Sequence, residues 1–180
     1  MQTKNYFAMT NFLAILFKVI LFILLFTIPL AWTIFFLKGD NLLSFEPNFF
    51  FSIGYTQTIL PLSTTEIFLK NISLLLANSV ALLSGSRCLY LASSLFKTLS
   101  LGEIPFTLNN VRQLTKITQL LFFIGLLPQL LYYPLLILTI QETYLLVGLN
   151  LFLIISGVLF VVKEIFRYGV QLQTFSEDVV

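Results

Sequence analysis

Residues 19–37 read VILFILLFTIPLAWTIFFL. No charge interrupts them. At about 1.5 Å per residue, a helix of this length covers most of the roughly 30 Å hydrocarbon core of a bilayer. Apolar residues continue back to Phe12, broken only by Lys18, whose stem can carry its ammonium to the headgroups. The run is longer than the roughly 7–15 apolar residues of a secretory leader, and no small-x-small cleavage pattern follows it. It therefore reads as a retained span over 12–37.

Three more stretches follow the same logic. The second covers 66–91, and its start is marked by Ser63 with Glu66 three residues on, a capping-box pattern downstream of Pro61. Arg87 falls about 30 Å along this helix from Ile67, at the far interface, and the helix is expected to continue through Ser93, Ser94 and Lys97 along the cytoplasmic surface. The third covers 117–138 and contains Pro128 and Pro134, which membrane helices tolerate with local bending. The fourth, 144–162, carries no charge and is expected to form a tight antiparallel hairpin with the third. The fold class is thus all-α: one membrane domain over 1–180, a four-helix transmembrane bundle.

Basic residues orient it. Lys4, Lys18, Arg87, Lys97, Arg112, Lys116, Lys163 and Arg167 fall on one side, and only Lys38 and Lys70 on the other. That bias places the N-terminus and C-terminus in the cytoplasm. The outer loop, 38–65, is aromatic (Phe45, Phe49, Phe50, Phe51, Tyr55), and Glu46-Pro47-Asn48 reads as a turn between two short extended runs. The inner loop, 92–116, holds Gly102 and Pro105 as helix breakers and Thr107 as an N-cap.

Composition agrees. The 180 residues are 58% hydrophobic and 10% charged, against about 25% charged in soluble domains. Mean hydropathy is +0.96. A net charge of +2 offers no support for direct nucleic-acid binding. With no histidine, the histidine-based triads and dyads are excluded. A lone cysteine, Cys88, makes neither an internal disulfide nor a CxxC pair, and it reads as a small buried apolar residue, with palmitoylation as the alternative. No phosphate-binding glycine loop or metal-ligand cluster is present. The close acidic pair Glu177–Asp178 sits on a tail expected to be mobile. The expectation is a non-enzyme with no catalytic residues, no metal and no cofactor.

Within the spans, Ser73, Ala77, Ala81 and Gly85 recur every fourth residue, a stripe for close helix packing or for a homo-oligomer seam. Asn78, Gln129 and Asn150 must find hydrogen-bond partners in hydrocarbon and read as cross-links between helices. Asp and Glu are absent from the depth of every span, which weighs against a proton-coupled carrier. Arg87, Lys97, Arg112 and Lys116 read as positive-inside anchors or as a docking patch for anionic lipid or protein.

Gly102-x-x-Pro105-Phe106-Thr107, with Asn110, Leu114 and Ile117, resembles the central motif of a bacterial membrane-protein family catalogued as domain of unknown function 2975. Phe166-Arg167-Tyr168-Gly169-x-x-Leu172-Gln173 resembles its closing signature, although Thr174-Phe175-Ser176 stands where that family continues with acidic residues. The resemblance implies a four-helix protein of a bacterial plasma membrane, no assigned reaction, and a pairing with a small helix-turn-helix regulator. The resulting expectation is a regulatory or interaction protein whose partners are the bilayer and a cytoplasmic regulatory protein. Docking is expected on Gly102, Pro105, Phe106, Arg112, Lys116 and Arg167. The alternatives are an envelope sensing or defence protein using the aromatic outer loop on an amphipathic peptide or lipid, and a small transporter or channel subunit that oligomerises.

Overall fold

The structure, a computed structural model, describes residues 2–38, 51–57, 63–102, 104–140 and 143–178. The chain runs α1 (Gln2–Lys38), β1 (Phe51–Gln57), α2 (Thr64–Ser100), α3 (Leu108–Leu127), a π-helical turn (Pro128–Tyr132), α4 (Tyr133–Ile140), β2 (Thr143–Leu149) and α5 (Leu151–Asp178). Among the described residues the regular structure is helical apart from one antiparallel ribbon, paired from Phe51–Leu149 to Gln57–Thr143. Three stretches, Asn5–Leu37, Thr64–Ser100 and Leu108–Ile140, are each long and apolar enough to cross a membrane.

The helix boundaries follow from local chemistry. Ser63 caps α2: its hydroxyl accepts from the Glu66 N–H, and the Glu66 carboxylate accepts from the Ser63 N–H at 2.7 Å. Helix α2 then runs without a break past Arg87 to Ser100, as the sequence suggests. Thr107 caps α3 by accepting from the Asn110 N–H at 3.2 Å. The two prolines produce a widened turn in place of a sharp kink. The Tyr133 N–H donates to the Pro128 carbonyl, five residues back, just before Pro134, which has no N–H to continue the ladder.

The fourth expected span departs from this pattern. Residues 143–149 are extended, and α5 begins only at Leu151. The charge-free part of α5, 151–162, covers roughly 18 Å, short of a roughly 30 Å core. Two local features explain the late start. Thr143, Tyr144 and Val147 favour strand and Gly148 disfavours helix. Asn150 then opens the helix, its Oδ1 accepting from the Leu153 N–H at 3.1 Å. The partner of α4 in the expected hairpin is therefore β2, and part of the outer loop, β1, pairs with it. Phe45, Glu46-Pro47-Asn48, Phe49 and Phe50 lie outside the described residues. Glu177 and Asp178, expected on a mobile tail, belong to the last turn of α5.

Packing is built on α2. Helix α1 runs antiparallel along it: Phe17 meets Phe96 and Phe35 meets Phe68 at ring distances of 5.6 and 5.5 Å. Between them, Ser93 Oγ donates to the Ala14 carbonyl at 2.8 Å, and Trp32 Nε1 donates to Ser79 Oγ at 3.0 Å. On another face of α2, Leu74 and Ala77 pack with Leu127, Tyr132, Leu136 and Ile140. Further along, Cys88 and Leu91 meet Ile117, and Leu95 and Leu99 meet Leu114. Helix α5 packs chiefly on α3.

Candidate functional site

The connection between α2 and α3 is keyed into the rest of the chain. Helix α2 ends with the Leu101 N–H donating to the Lys97 carbonyl and the Gly102 N–H donating to that of Leu99. Gly102 then adopts φ +82°, the left-handed conformation that glycine takes beyond a helix end. A Cβ there would also sit 3.7 Å from the Phe7 ring of α1. The carbonyl of Pro105 accepts from Asn110 Nδ2 at 2.9 Å, and Asn110 is 2% exposed. Turn, cap and buried amide thus hold one another.

Phe106 is the next link. Its ring lies edge-on to Phe166 at 5.3 Å and covers Gly169, where an added Cβ would stand 2.6 Å from Phe106 Cδ1. Only glycine at 169 lets the ring come so close. The two segments that carry the family resemblance, some sixty residues apart, are therefore in contact. Of the residues expected to dock a partner, Gly102, Pro105 and Phe106 have intramolecular contacts, and Gly102 and Phe106 are at the same time exposed. Arg112 and Lys116, four apart on one face of α3, are exposed, as are Arg167, Arg87 and Lys97. Arg87 lies over the Tyr90 ring at 5.5 Å. Lys163 Nζ stands 2.8 Å from Glu164 Oε1, and Arg167 3.8 Å from the other oxygen. The hydrogen bond from Lys163 holds the Glu164 carboxyl below its ordinary range, with both cations adding to the effect.

The small-residue stripe is not a single seam. Steps of four residues drift about 40° each around a helix. Ser73 is buried, Ala77 and Ala81 face the Tyr132–Ile140 segment, and Gly85 has turned toward Leu24 of α1. Ala81 and Gly85, with Asn78, Cys88, Thr27 and Phe152, line a cavity of about 510 Å³ between α1, α2, α3 and α5. The Asn78 amide makes no hydrogen bond among the described residues. The amides of Gln129 and Asn150 do cross-link elements, and both choose backbone. Gln129 Nε2 donates to the Gly148 carbonyl at 2.8 Å, and Asn150 Nδ2 to that of Gly125 at 2.7 Å. Cys88 is buried, in the cluster with Leu91 and Ile117.

Sequence reasoning missed three participants. Gly125 lets α5 approach α3 so closely that a Cβ would stand 2.7 Å from Leu153 Cγ. Ser156 Oγ donates to the Thr118 carbonyl at 3.3 Å, tying the same two helices. Gly169 was visible as part of a motif, but its contact with Phe106 was not.

Among the described residues no group of three or more His, Cys, Asp or Glu is placed to hold a metal. The basic end offers exposed cations on a braced scaffold, which suits binding an anionic surface. No family model, no curated protein and no solved structure matches this chain.

Proposed function

We propose that this chain is a multi-pass protein of a bacterial plasma membrane, with both ends cytoplasmic, and that it acts as a non-enzymatic regulatory protein docking a soluble partner. The observation that carries the proposal is the contact of Phe106 with Gly169 and Phe166, which braces the connection of α2 and α3 against α5 at the end of the molecule rich in exposed cations. Lys18, Arg87, Lys116 and Lys163 lie within about two helical turns of one level, judged from the packing of Phe17 on Phe96 and of Ile117 and Leu159 with Cys88 and Leu91. That level suits the inner headgroups. Beyond it, α1, α2, α3 and α5 project into the cytoplasm and offer Arg112 and Arg167, with Lys116 at the boundary, to an acidic partner surface. A helix-turn-helix regulator with an acidic face, the partner implied by the family resemblance, would fit. The apolar part of α5, packed on α3, makes the fourth passage, with the β1–β2 ribbon at its outer end.

Affinity capture from native membranes tests this proposal. The intact chain should recover a soluble protein that the charge-reversed variant R112E/K116E/R167E loses, while F106A weakens recovery less. Equal recovery of every partner by all three chains would end the proposal.

A second reading, a small transporter or channel subunit, draws on the cavity with its unbonded Asn78 amide. Flux in proteoliposomes that falls in N78L and survives in N78Q would favour it, and no flux across a broad panel of solutes would remove it.

A further inference from the structure

Helix α5 carries two separate faces. The face on α3 uses Leu153, Ser156, Leu159, Phe166 and Gly169. Another face presents Leu151, Ile154, Val158 and Val161 in the charge-free half of the helix. It continues as Ile165, Tyr168, Leu172 and Phe175 in the polar half. The spacing alternates three and four residues without a break, a 3.5-residue repeat sustained over eight positions. Every one of these side chains is exposed, from 42% at Ile154 to 69% at Phe175.

The polar half makes the pattern informative. Between Lys163 and Ser176 the exposed positions off the stripe are polar: Arg167, Gln171, Thr174 and Ser176. In this half, large apolar groups stand exposed only on the stripe. In lipid such a face needs no cover, but beyond the headgroups an exposed apolar stripe calls for a partner.

We propose that α5 pairs through this stripe with α5 of a second copy of this chain, parallel and in register. Three observations select an identical partner. A self-pairing seam must not set like charges against each other, and here the flanking positions that would face one another are Glu164 with Gly169, and Gln171 with Ser176. Glu164 is already neutralised on its own helix by Lys163 and Arg167. The eight stripe side chains, 42–69% exposed, supply a continuous apolar surface along the whole helix for such a seam. Finally, and here the inference rests on the membrane reading, two copies in one bilayer point the same way. Their apolar halves can then meet only at equal depth, which makes the pair a closed two-fold dimer. The aqueous half supplies the hydrophobic drive, and the membrane half sets orientation and register.

Oxidative cross-linking of the full chain in native membranes tests the pairing. In a C88A background, I165C and L172C should give disulfide dimers at least tenfold above R167C and T174C, which are equally exposed but lie off the stripe. In a second measurement, Y168E should reduce co-purification of two differently tagged copies severalfold with helix content unchanged. No dimer at I165C and L172C, equal dimer at R167C, adducts to a different protein in place of the dimer, or undiminished co-purification of Y168E would each overturn the inference. The variant R112E/K116E separates this outcome from partner docking: it should lose the soluble partner and keep the L172C dimer.

Discussion

Two helix seams in this molecule are held by different means. Helix α1 lies on α2 through aromatic and aliphatic side chains over a long stretch, with two hydrogen bonds, Trp32 to Ser79 and Ser93 to the Ala14 carbonyl. Helix α5 lies on α3 through Leu159 and Phe166 and, toward its N-terminal end, through glycine and polar groups: Asn150 reaches the Gly125 carbonyl, Ser156 that of Thr118, and Leu153 sits against Gly125. The difference tracks apolar length. Residues 19–37 can span lipid on their own, so α1 needs little from α2 to remain a helix at that depth. The charge-free part of α5 is too short for that, and its N-terminal N–H groups would be orphaned in hydrocarbon. Asn150 satisfies one of them and ties the helix end to α3 at the same time, so register is set where length cannot set it.

The sharpest way to break this comparison is to add one methyl group to each seam. Gly125→Ala places a Cβ 2.7 Å from Leu153 Cγ, whereas Gly85→Ala meets nothing nearer than Leu24 Cδ1 at 3.9 Å. In mixed-micelle unfolding, G125A should lose about 2 kcal/mol through overpacking and G85A should stay within about 0.5 kcal/mol of the parent. Equal losses would mean that the two seams do not differ in tightness.

Deleting one polar group from each seam comes next. Asn150→Ala removes a helix cap and an inter-helix bond together and should lose about 1.5 kcal/mol. Ser93→Ala removes one bond across the α1–α2 seam and should lose about 0.6 kcal/mol, the average for such bonds in membrane bundles. A larger loss for S93A would reverse the assignment of roles.

The smallest effect belongs to Glu164, where α5 leaves the apolar region. Its carboxyl is held below the ordinary range by Lys163. A depressed carboxyl contributes stability that is present at neutral pH and lost as pH falls through the carboxylate range. E164Q should slightly flatten the acid side of the unfolding profile and leave the neutral side nearly unchanged.

The parts of the fold written in consecutive residues were readable from the chain alone. Apolar length marked the first three spans. Ser63 with Glu66 marked the start of α2, and Thr107 that of α3, because a cap is a bond between residues three apart. Pro128 and Pro134 announced an irregular helix without saying that it would take the form of a π turn. At the basic end, the motif residues were identifiable, but their contacts were not: Phe106, 39% exposed, also rests on Gly169.

What the sequence by itself determined is therefore what depends on the solvent each segment requires and on hydrogen bonds that close within a few residues: apolar lengths and caps. Tertiary structure alone decided that 143–149 pairs with 51–57, that Gly125 receives Asn150, and that Phe106 rests on Gly169. The physical reason is distance along the chain. A strand's partner, a glycine's visitor and an amide's acceptor are supplied by segments tens of residues away, and no local periodicity records which segment arrives.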